Sequence, residues 1–380
     1  MVGIRSTLRL VSMLGISLAA ALPIASNNVF PLNDGFPTPS DAQLEKIFDG
    51  AHGSLPDTPP PTLHSDTLKS LQLIATNEMA EVSLYSTCYL KLHNRDHGFG
   101  DDNFADEAHR QFVVDTFRVF AHQEEIHALL AQGALQANGE APVQPSRYQF
   151  NTDTYQDCLN MANILGDNVL ATSQGVIQRA IEVGDGGLAV QLDSLVAQEG
   201  EQDGFLRSEQ VVKGKHTRLP AAMPAYTGST REWLFSILER IFIKPGTDKN
   251  NIDIPVYLLM NVDNKYIEPI NQDLDFEVHL HTKTGNNYND TKYDEDYDWH
   301  SSDLYLTIIT GQNLPISQPL KNVQVNKKQG SVKFSAYFPA ADRFIHAYAL
   351  AALTKGKDFV DPASVTNSTI AGPATIELID

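Results

Sequence analysis

Glu124 and His127 stand three residues apart in the run Gln123-Glu124-Glu125-Ile126-His127, so on a helix a carboxylate and an imidazole lie one turn apart. On paired helices, Glu-x-x-His supplies a metal ion with a bridging oxygen and a terminal nitrogen. The pair interrupts an apolar stripe, Val113, Phe117, Phe120, Glu124, His127, Ala131 and Ala134, whose steps of three and four residues face other helices rather than water. A lone carboxylate buried there would cost roughly several kcal/mol, so something must compensate it. Two further segments share this pattern. One steps Leu71, Ile74, Glu78, Glu81, Tyr85, Cys88, Leu92, and the other Leu188, Leu192, Leu195, Glu199, Gln202, Leu206. Acids at mid-seam on three helices imply one shared polar centre.

The chemistry that such a centre supports is a dinuclear iron or manganese site, which needs several anionic oxygens to offset two ions. The candidate ligands are Glu78, Glu81, Glu124, His127, Asp167, Glu199 and Gln202. Gln202 occupies the position of a second histidine, and the third long helix offers no glutamate on its seam, only Asn163, Asp167 and Gln174. From the residues alone three readings stay open: a metal site, a buried carboxylate and amide network that binds nothing, and a mononuclear or degenerate site.

The elements that position these residues can be read in turn. Residues 26–66 are rich in proline and are expected as a surface arm, interrupted by one short helix that a Ser40 and Gln43 capping box starts. Four long helices follow, at about residues 67–93, 103–136, 154–184 and 187–212. Asn138-Gly139 supplies a left-handed stop, and Thr154 with Asp157 a capping box. Short links make the first two and the last two helices antiparallel hairpins. The link at residues 139–153 can stretch about 50 Å, enough to traverse a helix of about 45 Å, so it makes one long crossover. That topology brings together the end of the first helix and the start of the third, where the chain's two cysteines, Cys88 and Cys158, fall. A bridge between them is expected; two buried free thiols are the alternative.

Ser229 and Glu232 are expected to cap one more helix, which Pro245-Gly246 ends. Alternation then takes over, as in Leu274, Phe276, Val278, Leu280 and in Val332, Phe334, Ala336, Phe338. Further strand-like runs are Pro255 to Val262, Leu304 to Thr310, Phe344 to Leu350 and Ala374 to Ile379. The expected fold is an all-α four-helix bundle with one long crossover at residues 67–245, then a smaller β-rich, sandwich-like domain at 246–380.

The segments Leu71-Gln72-Leu73-Ile74-Ala75 with Asn77-Glu78, Gln123 to Leu129, and Gln198-Glu199-Gly200-Glu201-Gln202 with Gly204-Phe205 carry a family resemblance. So do Asp34-Gly35-Phe36-Pro37 and Ala51-His52-Gly53 in the arm. From about Asn33 to Lys244 the chain resembles the fungal secreted ferritin-like proteins of stress response and late sexual development, relatives of desiccation-related proteins. The resemblance implies a ferritin-like bundle with Glu78, Glu124, His127 and Glu199 on the superfamily's ligand positions. It departs at Gln202 and in lacking a glutamate on the third helix. Ferritins can carry a glutamine on the fourth helix, so metal stays compatible, whereas catalase-like or oxygenase chemistry is weakened. The expected function is a non-catalytic structural or binding module at the cell surface, with cell-wall components as partners; a dinuclear metal oxidase or catalase-like enzyme is the alternative.

The chain has 28 Lys and Arg against 47 Asp and Glu, a net charge of −19 that argues against nucleic acid as a partner. Arg5 and Arg9 precede an apolar run from Leu10 to Leu22 and small residues up to Ala25, a secretory signal pattern over residues 1–25 too short to span a membrane. Sequons at Asn289 and Asn367 add to the expectation of a secreted or wall-associated glycoprotein. Asp294, Glu295, Asp296, Asp298 and Asp303 read as a solvated acidic loop, and His279 with His281 as one strand face. The sequence shows no phosphate loop, nucleophile elbow or zinc cysteine pattern.

Overall fold

A proline-rich arm leads into long helices, and the chain then turns to antiparallel sheets. The computed structural model describes residues 29–379 apart from 58–60, 213, 217, 221–222, 265–266, 281–292 and 295. The signal pattern, the Asn289 sequon, His281 and Glu295 lie outside the described residues.

In the arm, α1 (Asp41–Ala51) starts at Ser40 with the capping box read from the sequence. The bundle helices are α2 (Ser65–Asn94), α3 (Glu107–Ala137), α4 (Tyr155–Glu182) and α5 (Gly186–Glu209). Asp106 caps α3 by accepting from the His109 N–H, and Thr154 caps α4 reciprocally with Asp157. Gly139 takes φ 80° just past α3, as the stop signal requires. The crossover runs along the bundle: Gln132 holds Val143 by both of its backbone groups at 2.8 and 2.9 Å, and Gln149 N–H donates to Phe242 O at 2.8 Å. Cys88 and Cys158 are joined by a disulfide, with Cα atoms 6.0 Å apart, which ties α2 to α4.

A short ribbon, β1 (Val211–Val212) and β2 (Lys215–His216), follows α5. The next helix, α6 (Arg231–Ile237), has Thr230 rather than the expected Ser229 at its N-cap position, and the Thr230 hydroxyl bonds to Thr366 instead of capping the helix. Ser229 is held elsewhere: its N–H donates to Ala171 O at 3.0 Å, and its carbonyl lies so close to Gly175 that a Cβ there would approach to 2.6 Å. One turn of π-helix, Leu238–Phe242, continues α6. The helical core extends past Pro245 to Ile252, Ile254 and Val256, because the extended chain there still lies on the bundle, and the β core begins at Leu258.

The strands are β3 (Leu259–Val262), β4 (Asn271–His279), β5 (Leu304–Ile309), β6 (Ile316–Pro319), β7 (Lys321–Asn326), β8 (Ser331–Pro339), β9 (Tyr348–Lys355) and β10 (Thr369–Glu377). Short α7 (Ala340–Arg343) and α8 (Pro362–Asn367) flank β9. Two antiparallel four-stranded sheets, ordered β10-β9-β5-β6 and β3-β4-β8-β7, enclose one core containing Phe276, Leu306, Phe334 and Leu353. The outer face of the first sheet packs on the helices, where Ala171 and Trp233 meet Tyr348, Leu350 and Ala352. Buried on both faces, β9 loses the alternation of a half-exposed strand. The expected strand at Phe344 begins instead at Tyr348, since Phe344 is in left-handed conformation and 84% exposed. Sequence reading missed β6 and β7, polar edge strands with little to bury. Asn367 is exposed at the end of α8.

Candidate metal centre

The seam of α2 delivers Glu78, that of α3 Glu124 and His127, and that of α5 Glu199. Each offers one ligand atom, and these four atoms all lie within 4.8 Å of one another. The cluster is closed off: Glu124 is fully buried, Glu78 2% exposed, and His127 and Glu199 5% each. His127 Nδ1 is at the middle, 2.9 Å from Glu124 Oε2, 3.3 Å from Glu199 Oε1 and 3.5 Å from Glu78 Oε2. One N–H can satisfy only one of these oxygens well. Glu78 Oε2 has no hydrogen-bond partner, nor does Glu81 Oε1 one turn further on.

Electrostatics follow from burial and imbalance. Burial, with the neighbouring carboxylates, drives Glu78 and Glu81 well above the ordinary range and Glu199 to about 7. Burial would raise Glu124 as well, but His127 and the Gln202 amide outweigh it and hold that carboxyl below its usual value. His127 is opposed by burial yet pushed well above 6.5 by Glu124, Glu199 and Glu78. The centre thus favours the charged imidazole and one firmly ionised carboxylate, and resists ionising the rest.

The donor set fits a metal ion. Three carboxylates and one imidazole are hard or borderline ligands that suit iron or manganese, and Glu78 Oε2, without a hydrogen-bond partner, is free to serve as a donor. The set serves one ion directly. Gln202, a candidate for a second ion, is committed: its amide donates to Glu124 Oε1 at 2.5 Å and its oxygen accepts from Tyr85 at 3.1 Å. Glu81 accepts from Asn77 Nδ2 at 2.7 Å and stands beside the cluster, not within it. Asp167 is not brought in at all. It pairs with Arg207 at 2.5 Å in a second buried cluster with Asp203, which meets Arg207 Nε at 3.1 Å. Near it, Arg218 bridges Asn163 Oδ1 at 3.1 Å and Glu377 of β10 at 2.7 Å. The seam position of Asp167 was legible; its partner was not, although Asp203 and Arg207 sit at the four-residue spacing of a helical ion pair.

On the flank, Glu125 is buried and meets His122 Nδ1 at 3.0 Å, with Asp34 of the arm 3.9 Å from the same nitrogen. Gly50 on α1 makes the fit possible, since a Cβ there would come within 2.2 Å of the His122 ring. The described acids of the expected acidic loop do not converge as a metal site; Asp296 pairs with Lys327 at 2.7 Å.

Long antiparallel helices with one crossover and inward-facing carboxylates define the class: the helical region is a ferritin-like bundle, followed by a domain of antiparallel sheets. Residues 67–210 match the family model described as a ferritin-like domain, from just inside α2 to the residue after α5. A search of curated proteins finds no match to the chain. Among the described residues no helix is long and apolar enough to cross a membrane.

Proposed function

We propose that this is an exported ferritin-like protein of the cell surface or wall, active in stress response or sexual development, whose bundle binds one iron or manganese ion and acts as a binding module. The observation that carries the metal reading is the meeting of three buried carboxylates with a single imidazole inside 4.8 Å. Glu78, Glu124, His127 and Glu199 would hold the ion, which would supply redox or Lewis-acid capacity at that point. The chain's own contribution is to orient these ligands and keep bulk water out. Gln202 fixes the Glu124 carboxylate, and Tyr85 fixes Gln202.

Export is supported by the signal pattern, the sequons and a bridged cysteine pair, a bond that persists in oxidising compartments. The stress or developmental role and the cell-wall partner rest on the family resemblance. A dinuclear oxidase or catalase-like centre is the second reading; Glu81, buried beside the cluster with a partnerless oxygen, is the side chain that favours it. Metal analysis of protein purified from its secretory host separates the two. About one equivalent of iron or manganese per chain supports the first reading and about two the second; a metal-free native protein refutes both.

A further inference from the structure

Asp34, His122 and Glu125 form a second group of donors, apart from the centre. Each offers one ligand atom, and the three atoms all lie within 4.8 Å of one another. His122 and Glu125 stand three residues apart on α3, so their side chains meet across one helical turn. Asp34 comes from the arm, which Phe30 and Phe36 anchor in the helical core. Its Oδ1 accepts from the Phe36 N–H at 3.1 Å, which leaves Oδ2 as the oxygen nearer His122 Nδ1. Gly50 of α1 abuts the other, Cδ2 edge of the imidazole, so Nδ1 is the nitrogen presented to the two carboxylates. Glu125 is only 1% exposed, and among the described residues no hydrogen bond reaches its carboxylate from outside the trio. Nor does either carboxylate pair with a described lysine or arginine. One imidazole thus faces two acids, one of them withdrawn from water, with no fixed cation beside them.

We propose that Asp34, His122 and Glu125 bind a zinc ion that pins the arm to α3. Geometry sets the coordination. Ligand atoms roughly 2.0–2.2 Å from a tetrahedral ion stand about 3.3–3.6 Å apart. His122 Nδ1 is 3.0 Å from Glu125 Oε2 and 3.9 Å from Asp34 Oδ2, on either side of that spacing, so small side-chain shifts seat the ion. Donor type sets the metal. Calcium takes roughly six to eight oxygens and magnesium an octahedron of them, whereas one imidazole and two carboxylates suit zinc, with its fourth position left to water. Exposure sets the way in: the His122 and Asp34 side chains are 21% and 17% exposed, so an ion can enter from solution. Because arm and helix meet only in the folded chain, bound zinc stabilises that state. The site is independent of the main centre, although Glu124 and Glu125 are neighbours on α3.

The test is calorimetric titration of the metal-free mature protein with zinc chloride, with thermal melts in parallel. The parent should show a saturable zinc equivalent that Asp34→Asn and His122→Ala each weaken at least tenfold and that Glu124→Gln retains. Zinc should raise the melting temperature of the parent and of Glu124→Gln, and raise it less in the two flank variants. Melts without zinc identify which variants fold, and Asp34→Asn keeps an oxygen to accept from Phe36. No saturable zinc in the parent, unchanged affinity and stoichiometry in a folded flank variant, or loss of the same equivalent in folded Glu124→Gln overturns the proposal. The main centre is read by its iron or manganese and the flank by the zinc that Asp34→Asn loses, so failure of one leaves the other standing.

Discussion

Two buried charge clusters of the bundle, one at Arg207 and one at His127, are balanced in opposite ways. Around Asp167, Asp203 and Glu377 stand two guanidinium groups, Arg207 and Arg218, with Asn163 and Tyr226 completing hydrogen bonds. Around Glu78, Glu81, Glu124 and Glu199 stands one imidazole. Both leave single atoms without hydrogen-bond partners, Asp167 Oδ1, Arg207 Nη1, Arg218 Nε and Glu377 Oε1 in the first, Glu78 Oε2 and Glu81 Oε1 in the second. Orphaned atoms alone therefore do not mark a ligand site. The countercharge does: arginine is always ionised and completes a structural network, whereas a cluster of acids around one histidine is short of positive charge that a cation can supply.

Breaking the balanced cluster should cost most. Arg207→Met strands Asp167 and Asp203 in the interior, and chemical denaturation should show a loss of about 3–5 kcal/mol. Glu124→Gln in the metal-free protein should cost less, because His127, on losing its 2.9 Å partner, still has Glu199 at 3.3 Å and Glu78 at 3.5 Å. A Glu124→Gln variant as damaged as Arg207→Met would erase the distinction between the clusters. The disulfide joins the helix carrying Glu78 to the helix carrying Asp167 across 70 residues. Replacing both cysteines by serine should lower stability by up to about 4 kcal/mol in the loop-entropy model, read from melts of parent and variant. A variant that melts with its parent would show that packing alone holds these helices in register.

Metal should distinguish the clusters next. At about a hundredfold excess over its dissociation constant, manganese or iron should stabilise the parent by about 2.7 kcal/mol and Glu124→Gln by far less. Equal shifts in both proteins would place the ion elsewhere. The gentlest probe is pH. Burial raises Glu199 from 4.5 to about 7 and, in the other cluster, Asp167 and Asp203 from 3.8 to about 7. The folded state then holds protons that the unfolded chain releases, so metal-free stability should be fully present near the unfolded values and decline as pH rises to about 7. Glu124 acts oppositely, its contribution present above 4.5 and lost as pH falls through its lowered folded value. The contribution of His127 is present below 6.5 and lost only as pH rises through its raised folded value. Bound metal should remove the Glu199 part of the decline and leave the Asp167 and Asp203 part. Melting temperatures from pH 5 to 8 with and without manganese measure this, and coincident slopes would count against a metal at the centre.

Much of this was legible in the sequence because helical periodicity and capping are local. The three seams placed Glu78, Glu124, His127 and Glu199 at corresponding heights before any helix was docked, and the crossover length placed Cys88 beside Cys158. Alternation found the central strands β4 and β8, where one face is buried, missed β6 and β7, which bury almost nothing, and gave no guide to the bounds of β9, which buries both faces and begins at Tyr348 rather than Phe344. Tertiary structure alone decided which polar seam residues share a partner. Asp167 and Gln202 sit on seams as plausibly as Glu199, but one is drawn to Arg207 and the other is held between Tyr85 and Glu124. Glu377 reaches Arg218 from a strand 159 residues away. The physical reason is that periodicity fixes the face on which a charge lies, while its countercharge comes from another element whose distance and rotation only packing sets.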